Sequence, residues 1–171
     1  MSKNVNVHIT IDAAALVAAT PDPSQDSSSP TMVGHNYFYM VVTDGSAISG
    51  NGTGDLNFSA NVGDVVRFSS ATSSNNYEDA VLIYGIAPFG SGTVVVDNLL
   101  GLTYPSTDVY PSGPAVLPAE TAARTFTFFQ GDVSSVGTEQ YSVHFALYTR
   151  TGRQLSLYGY FGWDPTITVA S

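Results

Sequence analysis

Apolar and polar residues alternate one for one near the start of the chain, where Val5, Val7, Ile9 and Ile11 are separated by Asn6, His8 and Thr10. Successive side chains of a strand point to opposite faces, so a period of two predicts a strand with one buried side. Similar runs predict strands over Tyr37–Thr43, through GDVVRFSS at 63–70, and over Ala80–Ala87, Gly92–Val96, Arg124–Phe129, Glu139–Tyr148, Gln154–Phe161 and Thr166–Ala170. Helical spacing is confined to short candidate turns in Ile11–Ala19 or Val96–Leu100. About nine short strands with little helix predict an all-β fold, a jelly-roll-like antiparallel β-sandwich. Residues 1–171 are read as one such domain, a length at which about 70% of the unfolded chain's surface can be buried.

The connections carry the complementary signal. Thr20–Pro30, TPDPSQDSSSP, joins prolines to small polar residues and predicts a long surface loop, while DGSAISGNGTGDL at 44–56 is glycine-rich turn chemistry. Asp97–Thr121 contains Pro105, Pro111, Pro114 and Pro118, which argue against a central strand. That segment is expected to cover one end of the sandwich, burying Leu99, Leu100, Leu102, Val116 and Leu117. Alternatively it is a recognition loop in which Tyr104 and Tyr110 act as rigid aromatic anchors.

Charge narrows the partners. The formal net charge is -9, with 14 acids against five Lys and Arg residues, a balance that repels phosphate backbones and anionic lipid surfaces. Neither nucleic acid nor membrane insertion is expected, since no stretch reaches the length of apolar chain a membrane helix needs. The N-terminus, MSKNVNVHIT, does not read as a secretory signal, which predicts a cytoplasmic protein and leaves later release from the cell open. Cysteine is absent, so neither disulfides nor thiolate metal sites are available. Only 11% of residues are charged. A surface so poor in lysine and glutamate favours contacts between protein molecules, because those flexible hydrated side chains oppose contact and blunt strand edges.

The chemistry-bearing candidates are few. In SSNNYEDAVLIYGI, at 73–86, Asn75, Asn76, Glu78 and Asp79 offer the hard oxygen ligands that calcium prefers, with Glu78 and Asp79 as the metal candidates. The same residues also suit a plain turn feeding a buried strand. With Tyr104 and Tyr110 they make up the candidate ligand-binding set. His35, in VGHNYFYM, is read as a hydrogen-bonded structural histidine rather than a catalytic base; His8 is read as solvated. Trp163 is expected to cap the core just before Pro165. No GxSxG elbow, HExxH motif or phosphate-binding glycine loop occurs, so no catalytic residue is assigned.

Several stretches taken in order resemble the PixA/AidA family of bacterial inclusion body proteins. They are TPDPSQDSSSP and GHNYFYMVV, then GTGDLNFSANVGDVVRF and AVLIYGI, then GTEQYSVHFALYTR and LYGYFGWDPTITV. The resemblance implies a non-enzymatic protein that accumulates late in growth, sometimes as crystalline cytoplasmic inclusions, in some cases under quorum-sensing control in host-associated bacteria. Its implied partner is itself, with a host protein or glycan as a further candidate. The methionine richness of the original member is not matched, since only Met1, Met32 and Met40 are present. Separately, NNYEDAVLIYGI is similar to the acidic loop of calcium-dependent bacterial fucose-binding lectins, which implies a lectin-like alternative in which calcium assists sugar binding. Beyond calcium no cofactor is expected.

Overall fold

The computed structural model describes residues 2–43, 45–89, 93–114 and 116–170. Its strands are β1 (Asn4–Ile11), β2 (Thr31–Met32), β3 (Phe38–Val42), β4 (Ala47–Ser49), β5 (Leu56–Ser59), β6 (Val65–Thr72), β7 (Ala80–Pro88), β8 (Val96–Tyr110), β9 (Glu120–Val133), β10 (Gly137–Thr151), β11 (Gln154–Trp163) and β12 (Thr166–Ala170). One helix, α1 (Ala13–Ala19), follows β1, and a 3-10 turn at His35–Tyr37 precedes β3.

Five strands form one sheet in the order β3-β1-β6-β9-β8, and the second runs β2-β11-β10-β12-β5-β4 with β7 paired to β10. The all-β sandwich reading holds, with twelve strands among the described residues rather than about nine. The sheets are mixed rather than wholly antiparallel, because β1 runs parallel to β6, β11 to β2 and β12 to β5. Such pairings connect strands distant in sequence, so local alternation carries no trace of them.

Alternation does mark the core. Val5, Val7, Ile9 and Ile11 are buried while the residues between them face outward. From the opposite sheet Phe145 and Trp163 meet Phe38, whose ring stacks on the indole of Trp163 at 4.0 Å between centroids, and Phe161 stacks on Phe145 behind them. Trp163 is fully buried, deeper than a cap, and its Nε1 has no hydrogen-bond partner. The short helix begins where Asp12 accepts a hydrogen bond from the Ala15 amide, an N-cap that satisfies one free donor. It buries Ala13 and Leu16 and stops before Pro21.

The segment expected to be a proline-stiffened cover departs most from expectation. Within Asp97–Thr121, Asp97–Tyr110 belongs to β8 and Glu120–Thr121 begins β9, and the two strands pair antiparallel from Val96↔Val133 to Tyr110↔Glu120. Val96–Leu100 is thus strand rather than helical turn; the strand expected from Gly92 starts at Val96, and Gly92 itself lies outside the described residues. Pro105 is accommodated because β8 is the last strand of its sheet, the position at which a strand proline is tolerated. Of the leucines and valines expected to be buried there, Leu99 packs on the core, but Leu100, Val116 and Leu117 are exposed.

Candidate functional site

β9 pairs with β6 only from Val65↔Asp132 to Phe68↔Phe129, so Glu120–Phe128 has β8 as its single ladder neighbour. Beyond Phe129 the hairpin therefore continues as a two-stranded ribbon. At about 3.4 Å per residue its free part is about 27 Å long. Directly opposed residues of antiparallel strands share a face. One face of the ribbon carries Leu102 and Phe128, Tyr104 and Phe126, Ser106 and Arg124, then Asp108 and Ala122. On it Tyr104 stacks on Phe128 at 5.6 Å, Arg124 lies 5.1 Å over Phe126, and the Arg124 guanidinium donates to Asp108 at 2.6 Å. Those contacts hold the Asp108 carboxyl below its usual pKa, the hydrogen bond from Arg124 being the main cause. The other face consists of Thr103, Pro105, Thr107 and Val109 with Thr121, Ala123, Thr125 and Thr127, all exposed and none charged.

The ribbon is rooted in a buried polar network. Glu139 Oε2 accepts hydrogen bonds from the Val95 amide and the Tyr141 hydroxyl, each at 2.7 Å, and the Val96 amide donates to the Tyr141 hydroxyl at 2.8 Å. Burial, with the hydrogen bond to Glu139, drives the phenol pKa far above its ordinary value. Glu139 and Tyr141 lie on β10, so this network clamps the start of β8 to the opposite sheet.

Between ribbon and body runs a cleft. Its polar end, about 330 Å³, is lined by His8, Ser69, Asn75 and Asn76 on one wall and by Arg124 and Thr125 of β9 on the other. A second concavity of about 290 Å³ at the ribbon's base shares Ser70 and Thr127 with the first and is more apolar, with Phe68, Leu82, Leu102 and Phe128 in its walls. Partial burial lowers the pKa of His8, which bonds the Ser69 hydroxyl.

The six candidate ligand-binding residues fall in three places. Asn75 and Asn76, at positive φ of 54° and 60°, form the turn after β6, where asparagine tolerates the left-handed region. Asn76 Oδ1 accepts from the amides of Thr72 and Val81, at 2.9 and 3.2 Å, and so closes the turn that feeds β7. Glu78 and Tyr77 sit at a corner with Arg150 and Arg153, where Arg150 Nε donates to the Tyr77 carbonyl at 2.7 Å. At the same corner Asp79 accepts from the Arg150 amide. Tyr104 lies on the ribbon's aromatic face, and Tyr110 donates to Glu120 at the ribbon's end. Asn75 and Asn76 alone line the cleft. Among the described residues no group of three or more His, Asp or Glu converges to hold a metal ion.

One ionisable constellation is built on His35, the histidine that the sequence offers as a hydrogen-bonded structural residue. His35 stands between two carboxylates, with Nδ1 2.9 Å from Asp55 and Nε2 3.2 Å from Asp164. Asp55 also accepts from the Thr166 amide, and Asp164 from the Gln140 side chain. Partial burial opposes charge on the imidazole, but hydrogen bonds and charge from both aspartates outweigh it, and the His35 pKa is raised. With both ring nitrogens engaged, this is a clasp joining the turn before β3 to the segments entering β5 and β12.

A two-sheet, all-β sandwich with a two-stranded ribbon leaving one sheet edge defines the structural class. The family model described as PixA, an inclusion body protein, matches residues 3–169. The chain belongs to the PixA inclusion body protein family. A crystal structure of the inclusion body protein PixA from Burkholderia cenocepacia J2315 is similar along 99% of this chain and 97% of that one, at 26% identity and a TM-score of 0.86. A search of the curated proteins gives no match.

Proposed function

We propose that this is a non-enzymatic protein whose role is to accumulate and self-associate in ordered cytoplasmic inclusions, with a host-directed action following release from the cell. The observation that carries the reading is the ribbon: a two-stranded segment with one face fully exposed and the other only half-covered at its base is marginal alone in water and is stabilised by packing against something else. Low surface charge supports it, because at cellular salt the repulsion from a net charge of -9 is screened beyond about 8 Å, leaving short-range contacts to decide association. Regulation by quorum sensing belongs to the same reading, through the family. Sedimentation velocity across a concentration series tests it: the average mass should climb above the 18.0 kDa monomer as concentration rises.

The polar end of the cleft supports a second reading, a lectin-like module in which the amides of Asn75 and Asn76 and the guanidinium of Arg124 meet sugar hydroxyls, with calcium held at Glu78 and Asp79. The full burial of Trp163 removes one stacking platform from that reading. A glycan array probed with and without calcium decides it, and an array blank in both conditions rules it out.

A further inference from the structure

We infer that two copies of this chain exchange ribbons: the free edge of β9 pairs antiparallel with β9 of a second copy, and each ribbon's tip seats in the concavity at the base of the other. The inference rests on the self-association reading above and names its contact surface.

The ribbon has two open edges of different character. β8 carries Pro105 along its edge and leads into Pro111 and Pro114, and proline protects an edge against pairing. From Thr121 to Phe128 β9 has no proline and a single charge, Arg124, which Asp108 neutralises. The unprotected edge is therefore that of β9, and it faces the cleft. An antiparallel pair of identical strands closes on a two-fold axis and satisfies both partners at once. The resulting four-stranded sheet, β8-β9-β9-β8, passes the three strands at which a sheet becomes independently stable. Centring the axis on Thr125 sets Arg124 opposite Phe126 of the second copy, a cation-aromatic contact, instead of opposite another arginine.

The ends fit the same symmetry. In an antiparallel exchange the tip of one ribbon lies at the base of the other. The tip exposes Val109, Val116 and Leu117, the last 71% exposed, while the base offers the concavity walled by Phe68, Leu82 and Phe128. Apolar protrusion and apolar hollow are thus about one ribbon length apart on each molecule, the spacing two-fold exchange demands.

The absence of native cysteine gives a clean test. Within one chain the tip and base are separated by about 27 Å, beyond the roughly 7 Å Cα limit for a disulfide. The double variant Leu82→Cys/Leu117→Cys, oxidised at micromolar concentration, should form a covalent dimer at least tenfold faster than either single variant. In parallel, Leu117→Asp, in an exposed position, should weaken association at least tenfold by sedimentation while leaving the melting temperature unchanged. If the parent associates but the double variant links no faster than the singles, or Leu117→Asp associates like the parent, ribbon exchange is wrong and self-association stands. A parent that stays monomeric overturns both.

Discussion

Replacing Tyr141 by phenylalanine removes one oxygen from the network that roots the ribbon, and the cost can be worked from its geometry. The hydroxyl receives the Val96 amide at 2.8 Å and donates to Glu139 at 2.7 Å, in surroundings where Tyr141 is 1% exposed. The variant leaves a buried N–H without a partner, which costs about 1–3 kcal/mol, and deprives the carboxylate of a charge-assisted bond worth about 1.5–3 kcal/mol. Since the two losses share one oxygen, a net destabilisation of about 3 kcal/mol is expected. For a chain of this length each kcal/mol lowers the melting temperature by about 2–4 °C, so differential scanning calorimetry should show a fall of about 6–12 °C. Glu139→Gln is the control, because an amide oxygen can still accept from Val95 and Tyr141, and its cost should stay near 1 kcal/mol. A Tyr141→Phe melting temperature within about 2 °C of the parent would show that the network does not bear on stability. The ribbon's root is held by these bonds, so the same variant should also weaken any assembly that depends on the ribbon's direction.

Further expectations follow from individual contacts. Because the folded pKa of His35 is raised, its clasp contributes stability fully present below the unfolded value of about 6.5 and lost as pH rises through the folded value. Urea unfolding from about pH 5 to about pH 9 should show that loss in the parent and not in His35→Gln; His8 and His144, whose pKa values are lowered by burial, act with the opposite sign in both proteins, so a parallel pair of curves would refute the clasp. Asn76→Ala loses two accepted backbone bonds and leaves at positive φ a residue without asparagine's local side-chain hydrogen bonding, for an expected cost of about 2–3 kcal/mol in thermal unfolding, whereas Asn76→Asp keeps the acceptor and should cost less than half as much. Millimolar calcium should shift the melting temperature of the parent and of Glu78→Asn/Asp79→Ala equally, since a site at those carboxylates would stabilise the parent alone. Phe145→Ala, which empties the centre of the aromatic core, is expected to cost about 3–5 kcal/mol by denaturant titration.

What could be read from the sequence follows the range of each interaction. β1 and β3 were legible because one face of each is buried and the other wet, which writes a period of two into the residues. The turn at Asn75 and Asn76 was equally visible, since left-handed backbone selects asparagine locally. The ribbon was misread for a physical reason: Pro105 argues against a central strand, and nothing near it in sequence reveals that β8 is an outer edge, a fact fixed by Phe129, Phe68 and the rest of the sheet order. Leu100, Leu117 and Val116 read as core for the same cause and are exposed, because burial is a property of neighbours rather than of side chains. The His35 clasp depends on Asp55 and Asp164, one of them 129 residues away, and no local spacing brings them together. Glu139 and Tyr141 show the intermediate case, two residues apart on one strand, yet reaching amides more than forty residues upstream.

Sedimentation equilibrium of the unmodified protein, from micromolar to millimolar concentration at cellular ionic strength, bears on the central claim most directly. The account predicts a mass that rises from 18.0 kDa toward at least its double as β9 edges find one another. A profile fixed at the monomer mass over the whole range would contradict it.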